Sequence, residues 1–244
     1  LDLPIAIGIL MASGQIKYKE LDDFIIFGEL SLSGDLKGIK GALPIILEGV
    51  NKEKRNFIFP LENLREIAEN GEGNFYPFNN LKQVITYITN DDLLPYKENI
   101  HKEKVGKCKI NYSEIIGQVE AKRAMEIAAA GRHNIYMFGS PGVGKTMLAN
   151  AITSILPPLT KNEEMEVAKI YSIAGFSREM ETLDIPFRAP HHTITKSALI
   201  GGGRELTLGE ITLAHNGVLF LDEILEYKRE ILELLRKPME EGYI

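Results

Sequence analysis

Apolar residues along this chain come in short bursts, and the bursts change character near Asn90. Before it, the runs are brief and punctuated by glycine. Phe24–Leu30 and Ile45–Leu47 read as strand or buried-helix pieces, with Ser33-Gly34-Asp35 a turn between elements. Leu61–Asn70 and Asn80–Ile88 place apolar residues at helical spacing. From Asn90 to Tyr112 the chain turns polar, through Asp91, Asp92, Lys97, Glu98, Lys102, Glu103, Lys104 and Lys107. This stretch reads as an interdomain linker, the alternative being an exposed helix inside one domain.

Beyond Ile116 the pattern sharpens. Val119, Ala124, Ile127 and Ala128 form the apolar stripe of a helix that Gly131 stops. Ile135–Phe138 is a short buried strand, and Gly144–Leu156 a helix closed by Pro157-Pro158. Thr160 with Glu163 makes a capping box that opens a helix running to about Ile173. Val218–Leu221 is a second buried strand, and Lys228–Arg236 a helix ended near Pro238. Strand–helix alternation of this kind predicts an α/β fold with a parallel sheet. The expected organisation is an N-terminal domain over 1–90, a charged linker over 91–112 and an α/β domain over 113–244.

Composition changes this picture little. At 244 residues with 44% hydrophobic and 25% charged, the chain has the profile of a globular protein with a sizeable core. The net charge of −6 excludes a surface that is basic all over, and leaves room for a local basic loop acting within an assembly. The single cysteine, Cys108, offers neither a disulfide framework nor a thiolate metal site, which fits a reducing cytoplasm. The apolar run Leu3–Ala12 is too short to span a bilayer, contains Pro4 and follows no basic segment. It reads as domain core rather than a partner-binding face or a leader. The chain opens on Leu1 in the middle of an element by its pattern, so its first residues read as a cut edge.

The chemistry is concentrated in two places. Gly139-Ser140-Pro141-Gly142-Val143-Gly144-Lys145-Thr146 matches G-x-x-x-x-G-K-[ST], with an apolar strand before it and a helix, continuing through Met147, after it. Glycines let the backbone curl so that successive N–H groups point at one anion, and the helix start adds its positive end. Lys145 is expected to reach the β- and γ-phosphates of ATP, and the Thr146 hydroxyl to ligate Mg²⁺. The second place is Val218-Leu219-Phe220-Leu221-Asp222-Glu223, a buried strand that ends in two acids. Ligands bind at the carboxyl ends of such strands, so Asp222 is expected in the Mg²⁺ shell and Glu223 beside the attacking water. The pair of acids points to a motor ATPase over a simple kinase. Arg188-Ala189-Pro190-His191-His192-Thr193 is not expected to hold a metal, because adjacent loop histidines splay apart and no third ligand is evident. Gly201-Gly202-Gly203-Arg204 reads as a mobile hairpin tip rather than a phosphate loop.

Taken in order, these segments resemble a known family. Gly117-Gln118, Ala121-Lys122-Arg123-Ala124, Ala128-Ala129-Ala130-Gly131 and His133-Asn134 lead into the phosphate loop. Phe187-Arg188-Ala189-Pro190-His191-His192-Thr193, Leu199-Ile200-Gly201-Gly202-Gly203, Gly209-Glu210-Ile211, Leu213-Ala214-His215 and Gly217–Glu223 follow. Together they are similar to the YifB/ComM proteins, bacterial members of the magnesium-chelatase-like AAA+ branch. Asp2–Gly8 and Gly28–Gly34 resemble the same family's N-terminal domain, related in fold to the Lon protease catalytic domain. The fold class implied is an incomplete P-loop AAA+ parallel sheet preceded by a partial Lon-protease-like α+β domain. Asp2 and Leu43 fall near where Lon-type enzymes place their serine and lysine, so no peptidase activity is expected.

The resemblance further implies a cytoplasmic hexameric ring that uses ATP and Mg²⁺, acts on DNA in branch migration, and carries pore loops around Pro157–Leu208. It implies that Ile116-Gly117-Gln118 borders the adenine, the plainer alternative being a helix-start glycine. Arg204–Leu208 lacks the prolines the family often places there. In AAA+ sheets a further strand sits between the P-loop strand and the Asp-Glu strand, and an arginine finger and a lid follow. None of these is supplied before Ile244, so the expectation is a chain that binds ATP and hydrolyses it poorly alone. The rival readings are the motor subunit of magnesium chelatase, an inactive remnant or scaffold, and a Lon-type protease.

Overall fold

The computed structural model describes residues 1–16, 21–90, 94–96, 110–176, 185–203 and 206–242. The predicted linker therefore lies largely outside the described residues, as do Cys108 and the Arg204-Glu205 pair. The chain divides into two compact units, one of Leu1–Glu103 with Tyr171–Arg178, the other of Lys104–Ile170 with Glu179–Ile244.

The first unit is built on a three-stranded parallel sheet. Helix α1 (Asp2–Ala12) precedes β1 (Phe24–Ile26) and the hairpin of β2 (Glu29–Leu30) with β3 (Leu36–Lys37). Then come α2 (Ala42–Asn51), β4 (Asn56–Pro60), α3 (Leu64–Asn70), β5 (Asn74–Phe78) and α4 (Leu81–Asn90). The order is β1-β4-β5, with both pairings parallel and Ile58 opposite Ile26 and Tyr76. Side chains alternate across the central strand. Phe57 and Phe59 enter a cluster with α2 and α3, while Ile58 enters another with α1 and α4, and all three are fully buried. Burial of this kind contributes roughly 2–3 kcal/mol per side chain. Pro77 interrupts the ladder only on the edge strand, where a missing N–H is tolerated.

Of the two alternatives for Ile45–Leu47, strand or buried helix, the second is observed, within α2. Two sequence expectations change here. The run Leu3–Ala12 is core on one face only: Leu3 and Ile7 are buried, whereas Ile5 and Ile9 are 58% and 60% exposed. Strands β4 and β5 have no counterpart in the sequence reading, although Asn56–Pro60 and Asn74–Phe78 are aromatic-rich runs of strand length. The turn at Ser33-Gly34-Asp35 and the helices over 61–70 and 80–88 are where the pattern put them.

In the second unit, α5 (Val119–Gly131) leads to the phosphate loop, which opens α6 (Lys145–Ala151). Helix α7 (Lys161–Ala174) starts at the expected capping box. Thr160 N–H donates to Glu163 Oε2 at 2.8 Å, and Glu163 N–H donates to Thr160 Oγ1 at 3.4 Å. Then follow β6 (Phe187–Arg188), α8 (Lys196–Ile200), a hairpin of β7 (Gly201–Gly202) with β8 (Thr207–Leu208), α9 (Glu210–Leu213), β9 (Val218–Leu219) and α10 (Arg229–Glu241). Strands β6 and β9 pair in parallel, Phe187 opposite Val218.

The helix expectations here shift in detail. The buried face of α5 is Met125, Ala128 and Ala129, of which Met125 and Ala129 pack with Leu148, Ala151 and Ile152, while Val119 and Ile127 are 78% and 52% exposed. That helix stops at Gly131, as expected, with the left-handed cap residue at Arg132. Helix α6 is shorter than Gly144–Leu156, passing into a 3₁₀ turn at Ile152–Ser154. Pro238 lies inside α10 instead of ending it. A proline costs only its own N–H bond and the carbonyl four residues back. The amphipathic face of Ile231 and Leu235 and the pairs Arg229–Glu233 and Arg236–Glu240 carry the helix to Gly242.

The largest correction concerns the strands. Residues 135–138 are not in a strand, and the Asp-Glu strand pairs only at Val218 and Leu219. A strand exists by its ladder, and 135–138 has no backbone partner among the described residues. Residues 134–139 and 216–222 instead line one cavity of about 1030 Å³, with Tyr136 and Phe138 66% and 91% exposed. Among the described residues no helix is long and apolar enough to cross a membrane.

Candidate functional site

The phosphate loop is shaped by its glycines. Gly142 and Gly144 have φ of +80° and +90°, a region that side-chain-bearing residues rarely adopt, and open space lies where a Cβ would project. Gly144 then serves as the N-cap of α6, so the helix start faces the loop. The Lys145 ammonium curls back and donates to the carbonyls of Gly139 at 2.8 Å and Ser140 at 2.9 Å. Gln118, itself left-handed at φ +52°, donates from Nε2 to Val143 O at 3.1 Å, which ties the start of α5 to the loop.

The Asp-Glu motif arrives from β9. Thr146 Oγ1 donates to Asp222 Oδ2 at 3.1 Å, and Glu223 N–H donates to Asp222 Oδ1 at 3.0 Å. Glu223 sits at φ +50°, a strained position for a residue with a side chain, which turns the chain sharply as it leaves the sheet. Lys145, Asp222 and Glu223 line the larger cavity, and Thr146, Asp222 and Glu223 line a second one of about 370 Å³. The structure thus brings Gly139, Lys145, Thr146, Asp222 and Glu223 to one place. Ser140, Pro141, Gly142, Val143 and Gly144 form the exposed loop above it, and Met147 is 40% exposed outside both cavities.

The donor set suits Mg²⁺ with a polyphosphate. A hydroxyl and a carboxylate are hard oxygen ligands, and their 3.1 Å separation is close to the ~2.9 Å between neighbouring ligands of an octahedral Mg²⁺. Among the described residues no group of three or more His, Cys, Asp or Glu is arranged to hold a metal.

Several contributors escaped the sequence reading. Arg188 makes a two-pronged ion pair with Glu210, Nε to Oε2 at 2.6 Å and Nη2 to Oε1 at 2.8 Å, and each side chain is less than a quarter exposed. Tyr227, buried, donates its hydroxyl to Pro190 O at 2.5 Å. Burial, and secondly the Asp222 charge, raise the Tyr227 pKa above the ordinary phenol value, so the hydroxyl remains a donor. The rings of His191 and His192 do not splay apart: their centroids are 4.0 Å apart, and both line the smaller cavity. The only sequence signal for these contacts was that Arg188, His191 and Glu210 fell in motifs whose local role was unassigned.

Comparison with known proteins follows the two units. Residues 111–244 match the family model described as magnesium chelatase, subunit ChlI, and residues 1–63 match one described as subunit ChlI of Mg-chelatase. The chain is 43% identical over 248 residues to Competence protein ComM of Haemophilus influenzae. It is 41% identical over 246 residues to the uncharacterized protein YifB of Escherichia coli. Both alignments cover 100% of this chain and 48% of the relative, so the chain spans about half the length of the curated relatives it matches. A stretch of 44 residues, 18% of the chain, is 50% identical to 7% of an archaeal Lon protease of Methanothermobacter thermautotrophicus. With a P-loop and an acid pair meeting at the end of a parallel strand, and a family model matching more than half its length, the chain belongs to the magnesium chelatase subunit ChlI family, in the YifB/ComM group of AAA+-type ATPases.

Proposed function

We propose that this chain binds ATP with Mg²⁺ and forms the nucleotide-binding half of a cytoplasmic AAA+ ring that acts on DNA. The observation that carries the reading is the meeting of Thr146 and Asp222 at 3.1 Å, directly beside the phosphate loop. Lys145 leaves the two loop carbonyls and takes the β- and γ-phosphate oxygens. Thr146 and Asp222 hold the metal, whose charge offsets that of the phosphates. Glu223, next along the chain, orients the attacking water and accepts its proton. The start of α5, tethered through Gln118 to Val143, flanks the loop where the base of the nucleotide is expected.

The DNA arm of the proposal rests on the YifB/ComM resemblance and on one relative's name, Competence protein ComM. Two measurements test the reading. Titration with a non-hydrolysable ATP analogue should give Mg²⁺-dependent binding that Asp222→Asn weakens. Fluorescence anisotropy with a labelled four-way junction should show binding strengthened by the analogue and weakened by salt. Absence of analogue binding removes the whole proposal; absence of junction binding alone removes the DNA arm. A second reading, a motor for porphyrin metallation, is favoured by the description of the family model over 111–244, and stimulation of a magnesium-insertion assay would select it.

A further inference from the structure

Parallel pairing of β6 with β9 has a geometric consequence at the site. Both strands run the same way, so both deliver the residues that follow them to one end of the sheet. After β9 come Asp222 and Glu223; after β6 come Pro190, His191 and His192. The ladder is continuous to that point, since Phe220 N–H donates to Arg188 O at 2.8 Å. The cavity of about 370 Å³ is where they meet, lined also by Thr146 and Asn150 of α6.

The histidine loop is held in place by two residues outside it, Glu210 and Tyr227. Arg188, at its root, is clamped by Glu210 through two short hydrogen bonds. Pro190 O accepts from Tyr227, whose ring also meets His192 edge-on at 6.4 Å. His192 in turn packs against His191. Within His191 the ring nitrogens have different duties. Thr193 N–H donates to Nδ1 at 3.3 Å and the Thr193 hydroxyl lies 2.9 Å from the same atom. Nδ1 is thus the acceptor, and the neutral ring carries its proton on Nε2. No hydrogen bond to Nε2 is formed among the described residues. A fixed ring with a spare N–H donor, lining the cavity that holds the Mg²⁺ ligands, is suited to a phosphate oxygen.

We propose that His191 reads the terminal phosphate of the bound nucleotide, making the site selective for a nucleoside triphosphate over the diphosphate. The inference rests on the nucleotide-binding reading above. His192 and Tyr227 are positioning residues that hold the His191 ring.

The test compares Mg²⁺-dependent affinities of the chain for the β,γ-imido analogue of ATP and for ADP by calorimetric titration, with folding checked by circular dichroism. His191→Ala should weaken the triphosphate analogue about 10-fold, the worth of one hydrogen bond to a charged group, while ADP affinity changes less than about twofold. His191→Gln, which keeps a donor, should restore part of the preference; if the alanine variant does not fold, His191→Phe, which keeps a ring and removes the donor, is read in its place. An unchanged triphosphate-to-diphosphate ratio in the alanine or phenylalanine variant overturns the proposal, as does equal weakening of both ligands. If the unmodified chain binds neither nucleotide, or Lys145→Ala binds both as well as it does, the underlying nucleotide reading fails instead and the proposal falls with it.

Discussion

Replacing Lys145 by alanine tests the site at its most exposed assumption, that the ammonium exchanges backbone carbonyls for phosphate oxygens. In the structure its Nζ donates to Gly139 O and Ser140 O at 2.8 and 2.9 Å. A hydrogen bond with a charged partner contributes about 1.5–3 kcal/mol, roughly twice a neutral one. The two bonds to exposed loop carbonyls are matched by bonds to water and contribute little net. Two bonds to phosphate oxygens, taken at the low end of the range for an exposed loop, give about 3 kcal/mol, a weakening of about 150-fold in the variant. The assay is thermal unfolding with and without Mg²⁺ and the ATP analogue. At a ligand concentration about 100 times the dissociation constant, binding stabilises the unmodified chain by about 2.7 kcal/mol, or roughly 5–10 °C. At the same concentration Lys145→Ala should retain a shift of only about 1 °C. Its ligand-free melting should barely move, because water replaces the ammonium on two carbonyls of an exposed loop. A variant that keeps the full ligand-induced shift would refute the placement of Lys145 on the phosphates.

Three other outcomes follow from the geometry. Glu210→Gln and Arg188→Met, combined in a double-mutant cycle read by urea unfolding, should couple by about 1.5 kcal/mol; coupling below about 0.3 kcal/mol would deny the ion pair a role in holding the β6 loop. Glu163 is held down to a pKa of about 2, chiefly by the Thr160 backbone N–H and then by the Arg132 guanidinium 2.6 Å away. Because the folded value is the lower one, its stabilisation is complete above about 4.5 and is lost as pH falls toward 2. The melting difference between the unmodified chain and Glu163→Gln should therefore shrink across that window, and a difference independent of pH would contradict it. In hydrogen exchange, amides of Phe57 and Ile58, in a strand paired on both sides, should exchange far more slowly than those of 135–138; equal protection of the two segments would mean that the second is paired after all.

What the sequence disclosed depended on how local the physics was. A capping box is settled by four consecutive residues, and Thr160–Glu163 reads the same on the page as in space. The phosphate loop is equally local, since the positive φ of Gly142 and Gly144 needs only the absence of a side chain. Helix faces were less legible. The apolar stripe over Val119, Ala124, Ile127 and Ala128 obeys helical spacing, yet the buried positions are Met125, Ala128 and Ala129. Which of two adjacent apolar stripes is buried is decided by the partner surface, here Leu148, Ala151 and Ile152.

Strands and loops sit at the far end of that scale. Residues 135–138 and 56–60 are comparable apolar runs, but only the second has neighbours on both sides, and only the second is a strand. A strand's hydrogen bonds belong to another segment, so no reading of the segment alone can settle it. The same holds for the histidine loop. Within its own sequence, His191-His192 has no assigned chemistry. It enters the site because β6 lies beside β9 and points the same way, so that the ends of both strands share one cavity. On the reading proposed above, the P-loop and the acid pair mark where a polyphosphate binds, and the groups that would distinguish its phosphates are those that topology brings to that end of the sheet from β6.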